Sequence, residues 1–257
     1  MTDGPGLRFQ PADLATAALL LTRLPLPRLP ERVLRRGAAA AWCYPLIGVA
    51  LGGLAAGVLA GAQGLGLDPA TAAALALACA IVTTGALHED GLADCADGFW
   101  GGHDRSRRLE IMKDSRMGSY GVIALGLSLL IKWSALAALA TAGLSGAALI
   151  FAAATSRALI TVIWATLPPA RPDGLAASQG RPGPAPAGVA LGLALLSGLV
   201  LLPLGSALAG LAAALIAGGA VALVARGKIG GQTGDVLGAT QQIAEIAVLL
   251  TLTALRV

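Results

Sequence analysis

Charge is what this chain has least of. Asp, Glu, Lys and Arg make up 12% of its 257 residues, about half the share usual in a soluble domain. Aromatic residues are scarcer still at 4%, and there are two histidines and three cysteines. An apolar fraction of 56% excludes a disordered chain and an ordinary soluble enzyme, because no single aqueous core hides that much apolar surface. Cys43, Cys79 and Cys95 have no CxxC spacing, which excludes a disulfide scaffold and implies no thiolate metal site. The formal net charge is +4, but no interleaving of basic and aromatic residues marks a nucleic-acid surface. Strict polar–apolar alternation is missing too, which argues against a membrane β-barrel.

What the chain does have is long apolar runs, with a mean hydropathy of +0.77. A helix rises about 1.5 Å per residue, so roughly 20 apolar residues cross a bilayer. Runs at 38–61, 70–87, 122–142, 147–167, 189–202, 208–225 and 236–255 predict an all-α polytopic membrane protein of seven spans. The whole of residues 1–257 reads as one integral-membrane catalytic domain, with an acidic loop at 88–118 and a Pro/Gly-rich loop at 168–188. Residues 14–21 are too few to span. With prolines at 25, 27 and 30 behind them, they read as an interfacial or re-entrant segment. The fifth run is short, and residues 203–206 form either a tight turn or a kink.

Basic residues orient the spans. Of 18 Lys and Arg, six precede the first span, five lie between spans two and three, two between four and five, and two between six and seven. The loops on the other side carry none and only Arg256 at the C-terminus breaks the pattern, so the N-terminus and the acidic loop are expected in the cytoplasm. In the first span Gly48 and Gly52, and Gly53, Gly57 and Gly61, recur every four residues. Such spacing lets helix backbones approach closely. Packing within the bundle is the plainer reading, and a homodimer contact the sharper one.

The little negative charge present is concentrated. Seven of the 14 acidic residues fall between Glu89 and Asp114, with His103 among them and His88, the other histidine, just before. Asp90, Asp94 and Asp97 stand at i, i+4 and i+7, on one helical face at about 100° per residue. Three carboxylates so placed repel one another unless a cation sits between them. Oxygen-only ligands suit Mg²⁺, Mn²⁺ or Ca²⁺. Glu110 and Asp114 repeat the i, i+4 spacing on what reads as the next short helix, with Lys113 and Arg116 beside them as phosphate-binding candidates. Surface pairing explains Arg107 and Glu110 equally well. Lys132 and Arg157 lie inside spans, where a charge faces a cavity or a partner; an anionic ligand competes there with pairing to Glu245. A glycine-rich turn, Gly230-Gly231-Gln232-Thr233-Gly234-Asp235, opens the seventh span and offers a helix N-terminus to phosphate.

At these residues the sequence resembles the cobalamin synthase, or adenosylcobinamide-GDP ribazoletransferase, family. The matching stretches are Thr22-Arg23-Leu24-Pro25-Leu26-Pro27, Tyr44-Pro45-Leu46-Ile47-Gly48, His88-Glu89-Asp90-Gly91-Leu92-Ala93-Asp94 with Asp97-Gly98, and Glu110-Ile111-Met112-Lys113-Asp114-Ser115-Arg116-Met117-Gly118. Ser156-Arg157 and residues 230–239 complete the set. The resemblance implies a Mg²⁺-dependent enzyme of the bacterial inner membrane. It would join adenosylcobinamide-GDP to α-ribazole or its 5′-phosphate, giving adenosylcobalamin or its phosphate and GMP. On that reading Asp90, Asp94 and Asp97 hold metal, and His88 or Asp114 takes the ribazole hydroxyl proton. Lys113, Ser115, Arg116, Arg157, Gln232, Thr233 and Asp235 would contact substrate or phosphate. A phosphatidyltransferase-like lipid enzyme is the nearest alternative, but its Asp-Gly-x-x-Ala-Arg pattern is absent, since Asp94 follows Ala93. A transporter built on Lys132, Arg157 and Glu245 would be expected to concentrate charge at the bilayer midplane instead.

Overall fold

A computed structural model describes residues 10–25, 30, 36–174 and 178–255. Leu26 and Pro27 of the first motif, and Arg8, Arg28, Arg32, Arg35 and Arg256 of the charge pattern, lie outside the described residues. Among those described, all regular structure is helical apart from one isolated parallel bridge between Pro169 and Gln232.

The segment expected at the interface is helix α1 (Pro11–Leu21), started by a proline at its first turn. It is pinned by a residue the sequence did not single out. Asp13 is fully buried and accepts hydrogen bonds from Arg36 Nε at 2.7 Å and Trp42 Nε1 at 2.9 Å. Short helical turns then lead into α2 (Tyr44–Gly64), the first span. Its glycines divide by face. A Cβ on Gly52 would lie 2.6 Å from Ile150 Cα, and one on Gly48 would strike Ala153, so these two let α2 press on α7 (Ser145–Thr166). Gly53, Gly57 and Gly61 meet nothing within 4 Å.

The second run does not continue straight. Helix α3 (Pro69–Thr84), capped by Asp68, ends at Gly85, and both Gly85 and Ala86 are left-handed, at φ 65° and 57°. Those two residues turn the chain by 87° into α4 (Leu87–Gly101). Sixteen residues rise about 24 Å, short of a core of roughly 30 Å, so α3 supplies most of a crossing and α4 lies nearly perpendicular across its end. With it, the bundle has up to seven crossings, six of them single long apolar helices. Most of the segment expected as an acidic loop is therefore helix, α4 and then α5 (Arg105–Ile111). Helix α5 stops short of Asp114, because Lys113 and Asp114 donate to carbonyls three residues back, at 3.0 Å each. Glu110 and Asp114 thus do not share a helix.

Helix α6 (Ser119–Thr141) follows, and α7 is the central post, packed against α2, α8 (Pro184–Leu201), α9 (Leu204–Ile229) and α10 (Gly234–Leu255). The short fifth run is a complete 18-residue helix. Leu202 and Pro203 form a tight turn and not a kink: a Cβ on Gly198 would lie 3.0 Å from Ala207 Cβ, which requires α9 to fold back on α8.

Asp97 does structural work in this frame. Its two carboxylate oxygens accept from Gly118 N at 2.7 Å and Gly121 N at 2.9 Å, satisfying free N–H groups at the start of α6. Asp97→Ala is expected to lower stability by about 1–2 kcal/mol, the range of a lost helix cap, read as a fall in melting temperature of the detergent-solubilised protein.

Candidate active site

The site forms where α4 crosses the start of α10. The two backbones touch through glycine: a Cβ on Gly91 would lie 2.8 Å from Asp235 O, and one on Gly238 3.3 Å from the Cα atoms of Gly91 and His88. That contact sets the acidic face of α4 beside Asp235. Gly91→Val has no room and is expected to cost about 1–3 kcal/mol from overpacking. It should also lower turnover about a hundredfold through misplacement of the carboxylates. Gly57→Val, on an open face, should match wild type in both melting temperature and turnover.

The acidic residues grade from open to closed along α4. Asp90 is exposed, Asp94 half-buried, and Asp97 buried beneath α6. Partial burial, with Asp235, Asp90 and Asp97 around it, pushes the Asp94 carboxyl up to about 7. Among the described residues the cation against this group is Arg171, with Nη2 3.6 Å from Asp235 Oδ2; its Nη1 is buried with no hydrogen-bond partner. Thr233 caps α10 by accepting from Val236 N at 3.3 Å, and its hydroxyl donates to Asp235 Oδ2 at 3.0 Å. Gln232 pairs through its backbone with Pro168 and Ala170, at 2.8 Å in both directions, while its side-chain oxygen is buried and unpartnered. Among the described residues no three His, Cys, Asp or Glu side chains already surround a common point.

Behind the carboxylates lies a cavity of about 230 Å³. Asp90, Asp235 and Arg171 line it together with His88, and its walls are Leu20 and Leu21 of α1, Tyr44 of α2, Ile160 and Trp164 of α7 and Leu237 of α10. His88 is 2% exposed with Nε2 unpartnered.

Other expected residues sit elsewhere. Asp114 and Arg116 form a local ion pair at 2.6 Å on the exposed segment after α5, and hydrogen bonds from Arg116 hold the Asp114 carboxyl down at about 2. Ser115 is exposed on the same segment. Lys113 reaches across to Asp173, at 2.5 Å, and so ties this segment to the 168–174 loop. Arg157 is 4% exposed inside the bundle, where Nη1 donates to Ala153 O. It lines a smaller cavity with Glu89, Lys132 and Glu245. There Lys132 donates to Gln242 Oε1 at 2.7 Å and pairs with Glu245 at 3.5 Å and Glu89 at 3.7 Å. Pairing, the alternative to an anionic ligand, describes Lys132.

Arg171, Tyr44 and Trp164 were not singled out as site residues. Tyr44 does open one of the quoted motifs, while Arg171 lies in the Pro/Gly-rich loop and Trp164 in an apolar span without any local pattern. Two arginines of the basic segment serve as staples: Arg105 donates to Ile229 O at 2.8 Å and to Ala170 O, and Arg108 to Lys228 O at 3.0 Å.

Comparison with known proteins bears on this arrangement directly. The family model described as cobalamin-5-phosphate synthase matches residues 13–253. The chain belongs to that family. It is 46% identical over 253 residues to the adenosylcobinamide-GDP ribazoletransferase of Mesorhizobium japonicum, covering 96% of each chain. Identity to the protein of that name from Bradyrhizobium diazoefficiens is 47% over 247 residues, covering 95% of this chain and 94% of the relative. For Rhizobium etli it is 47% over 256 residues, covering 93% and 95%. No solved structure matches the chain. The family match runs from within α1 to within α10, so the α4–α10 crossing and the residues lining the cavity behind it lie inside the matched length.

Proposed function

We propose that this chain joins adenosylcobinamide-GDP to α-ribazole or its 5′-phosphate and releases GMP, in the bacterial inner membrane with its site on the cytoplasmic side. The family membership supports the reaction, and the basic bias of alternate loops supports the orientation. The observation that carries the site is the α4–α10 crossing, which gathers Asp90, Asp235 and Arg171 on one cavity, with Asp94 one turn further along α4.

The donor set fits a divalent cation of the open kind. Mg²⁺ is usually held by one or two carboxylates together with substrate phosphates and waters, so a closed protein cage is not required. Asp94, crowded by three other carboxylates, marks a site short of positive charge. Asp90, Asp94 and Asp235 are the residues that would hold Mg²⁺; Asp97 already gives both oxygens to α6. Bound there, the ion would neutralise diphosphate charge and stabilise the departing nucleotide.

The rest falls to the chain's own groups. The ribazole 3′-hydroxyl attacks the phosphorus that stays with cobinamide; a new O–P bond forms as the bridging P–O bond breaks, and GMP leaves with the bridging oxygen. His88 takes the hydroxyl proton. Of the two proton acceptors read from the sequence it is the one lining the cavity, while Asp114 is held by Arg116 on the exposed segment after α5. Arg171, which lines this cavity, meets phosphate in place of Arg157, which lines the smaller one. Lys113 is paired with Asp173 and Arg116 with Asp114, so an incoming diphosphate would compete with those carboxylates for the two cations.

Purified protein in detergent, given both substrates, is expected to release GMP and cobalamin product in equal amounts. A protein that leaves the corrinoid unreacted in detergent but moves it across sealed vesicles would overturn this reading in favour of transport.

A further inference from the structure

The cavity behind the carboxylates has two ends of different chemistry. Its mouth is ionic, with Asp90, Asp235 and Arg171; its floor is apolar, with Leu21, Ile160 and Leu237. Two aromatic side chains line that apolar end. Tyr44 and Trp164 are 1% and 2% exposed, their ring centroids are 6.5 Å apart, and the ring planes are tilted by 31°. Each also carries a buried polar atom, Tyr44 Oη and Trp164 Nε1, with no hydrogen-bond partner. Buried hydroxyl and indole N–H groups nearly always find partners, and leaving one unmade costs stability. Two such atoms beside one cavity mark a seat that a ligand completes.

We infer that this end of the cavity binds the planar heteroaromatic base of the nucleoside co-substrate. This inference rests on the reaction proposed above. An aromatic base offers flat apolar faces to Leu21, Ile160 and Leu237 and a ring nitrogen to an orphan donor. Its ribose then points back toward His88 and the carboxylates, where the hydroxyl reacts. The corrinoid diphosphate, bulky and charged, is kept to the mouth. The floor is also selective: its apolar walls favour a benzimidazole carrying methyl groups over adenine, whose exocyclic amino group would lose water and add a donor where the free polar groups are already donors.

Tyr44→Phe separates a ligand contact from a structural one. In the ligand-free protein the substitution removes an unsatisfied hydroxyl, so melting temperature should stay the same or rise. Binding of α-ribazole, measured by equilibrium titration, should weaken about tenfold, and the KM for α-ribazole should rise by the same factor. The KM for adenosylcobinamide-GDP should change much less. Ile160→Trp, which fills the floor, should weaken α-ribazole binding about a hundredfold or more. Wild type should bind the dimethylbenzimidazole riboside at least about tenfold tighter than the matching adenine riboside. If wild type turns over but Tyr44→Phe and Ile160→Trp bind α-ribazole as wild type does, the seat is elsewhere and the inference falls alone. If the variants instead raise only the KM for the corrinoid, the floor belongs to that substrate and the inference is equally overturned. If wild type neither binds α-ribazole nor releases GMP, the proposed reaction falls and takes the inference with it.

Discussion

Asp94→Asn is expected to cut GMP release by roughly a thousandfold, about 4 kcal/mol of transition-state stabilisation, in a protein that folds at least as well as wild type. The two halves of that result come from one cause. Asp94 is partly buried and faces Asp235, Asp90 and Asp97, which is why its carboxyl is raised to about 7. A raised carboxyl is protonated more readily in the folded than in the unfolded chain. The metal-free fold therefore loses stability as pH rises from the ordinary carboxylate range toward about 7, and the penalty is complete above it. Asparagine keeps the shape and removes the charge. In EDTA the wild-type melting temperature should fall between pH 5 and pH 8, and the fall should be smaller in Asp94→Asn. A variant that melts earlier than wild type and keeps its activity would show Asp94 to be a structural group.

Lys132→Met is expected to be the most damaging single change to the bundle. Lys132 is 2% exposed and sits between Glu89 and Glu245, with Gln242 accepting from its ammonium. Arg157 lines the same small cavity, so the cluster holds two charges of each sign. Removing one cation leaves an excess carboxylate inside a membrane bundle, at a cost of about 3–5 kcal/mol. The decisive control is Lys132→Met combined with Glu245→Gln, which restores the balance and should recover most of the lost melting temperature. A double variant no more stable than the single one would mean that Lys132 acts through its packing and not its charge.

The helical membrane fold was legible because twenty-residue apolar runs have few other uses. The acidic face was legible because spacing alone puts Asp90 and Asp94 on one side of a helix. What escaped were partnerships with backbone atoms and with distant segments. Asp97 has the same sequence spacing as its neighbours, but it lies under the N-terminus of α6, and only the fold brings Gly118 and Gly121 to it. Arg105 reads as another basic residue near a membrane face, yet it holds two carbonyls from segments far along the chain. The bend after Thr84 was missed because the apolar run continues through Gly85, Ala86 and Leu87, while the backbone turns at two left-handed residues. The cavity floor was hidden for the opposite reason: Leu21, Tyr44, Ile160 and Leu237 are ordinary residues of apolar segments until four helices bring them together.

The central claim is that carboxylates gathered at the α4–α10 crossing work through a divalent cation on a diphosphate. It is tested most directly by GMP release from adenosylcobinamide-GDP and α-ribazole as a function of free Mg²⁺. Release should be absent in EDTA, return saturably with Mg²⁺, and need a higher Mg²⁺ concentration for half-saturation in Asp90→Asn. GMP release that continues undiminished in EDTA would contradict it.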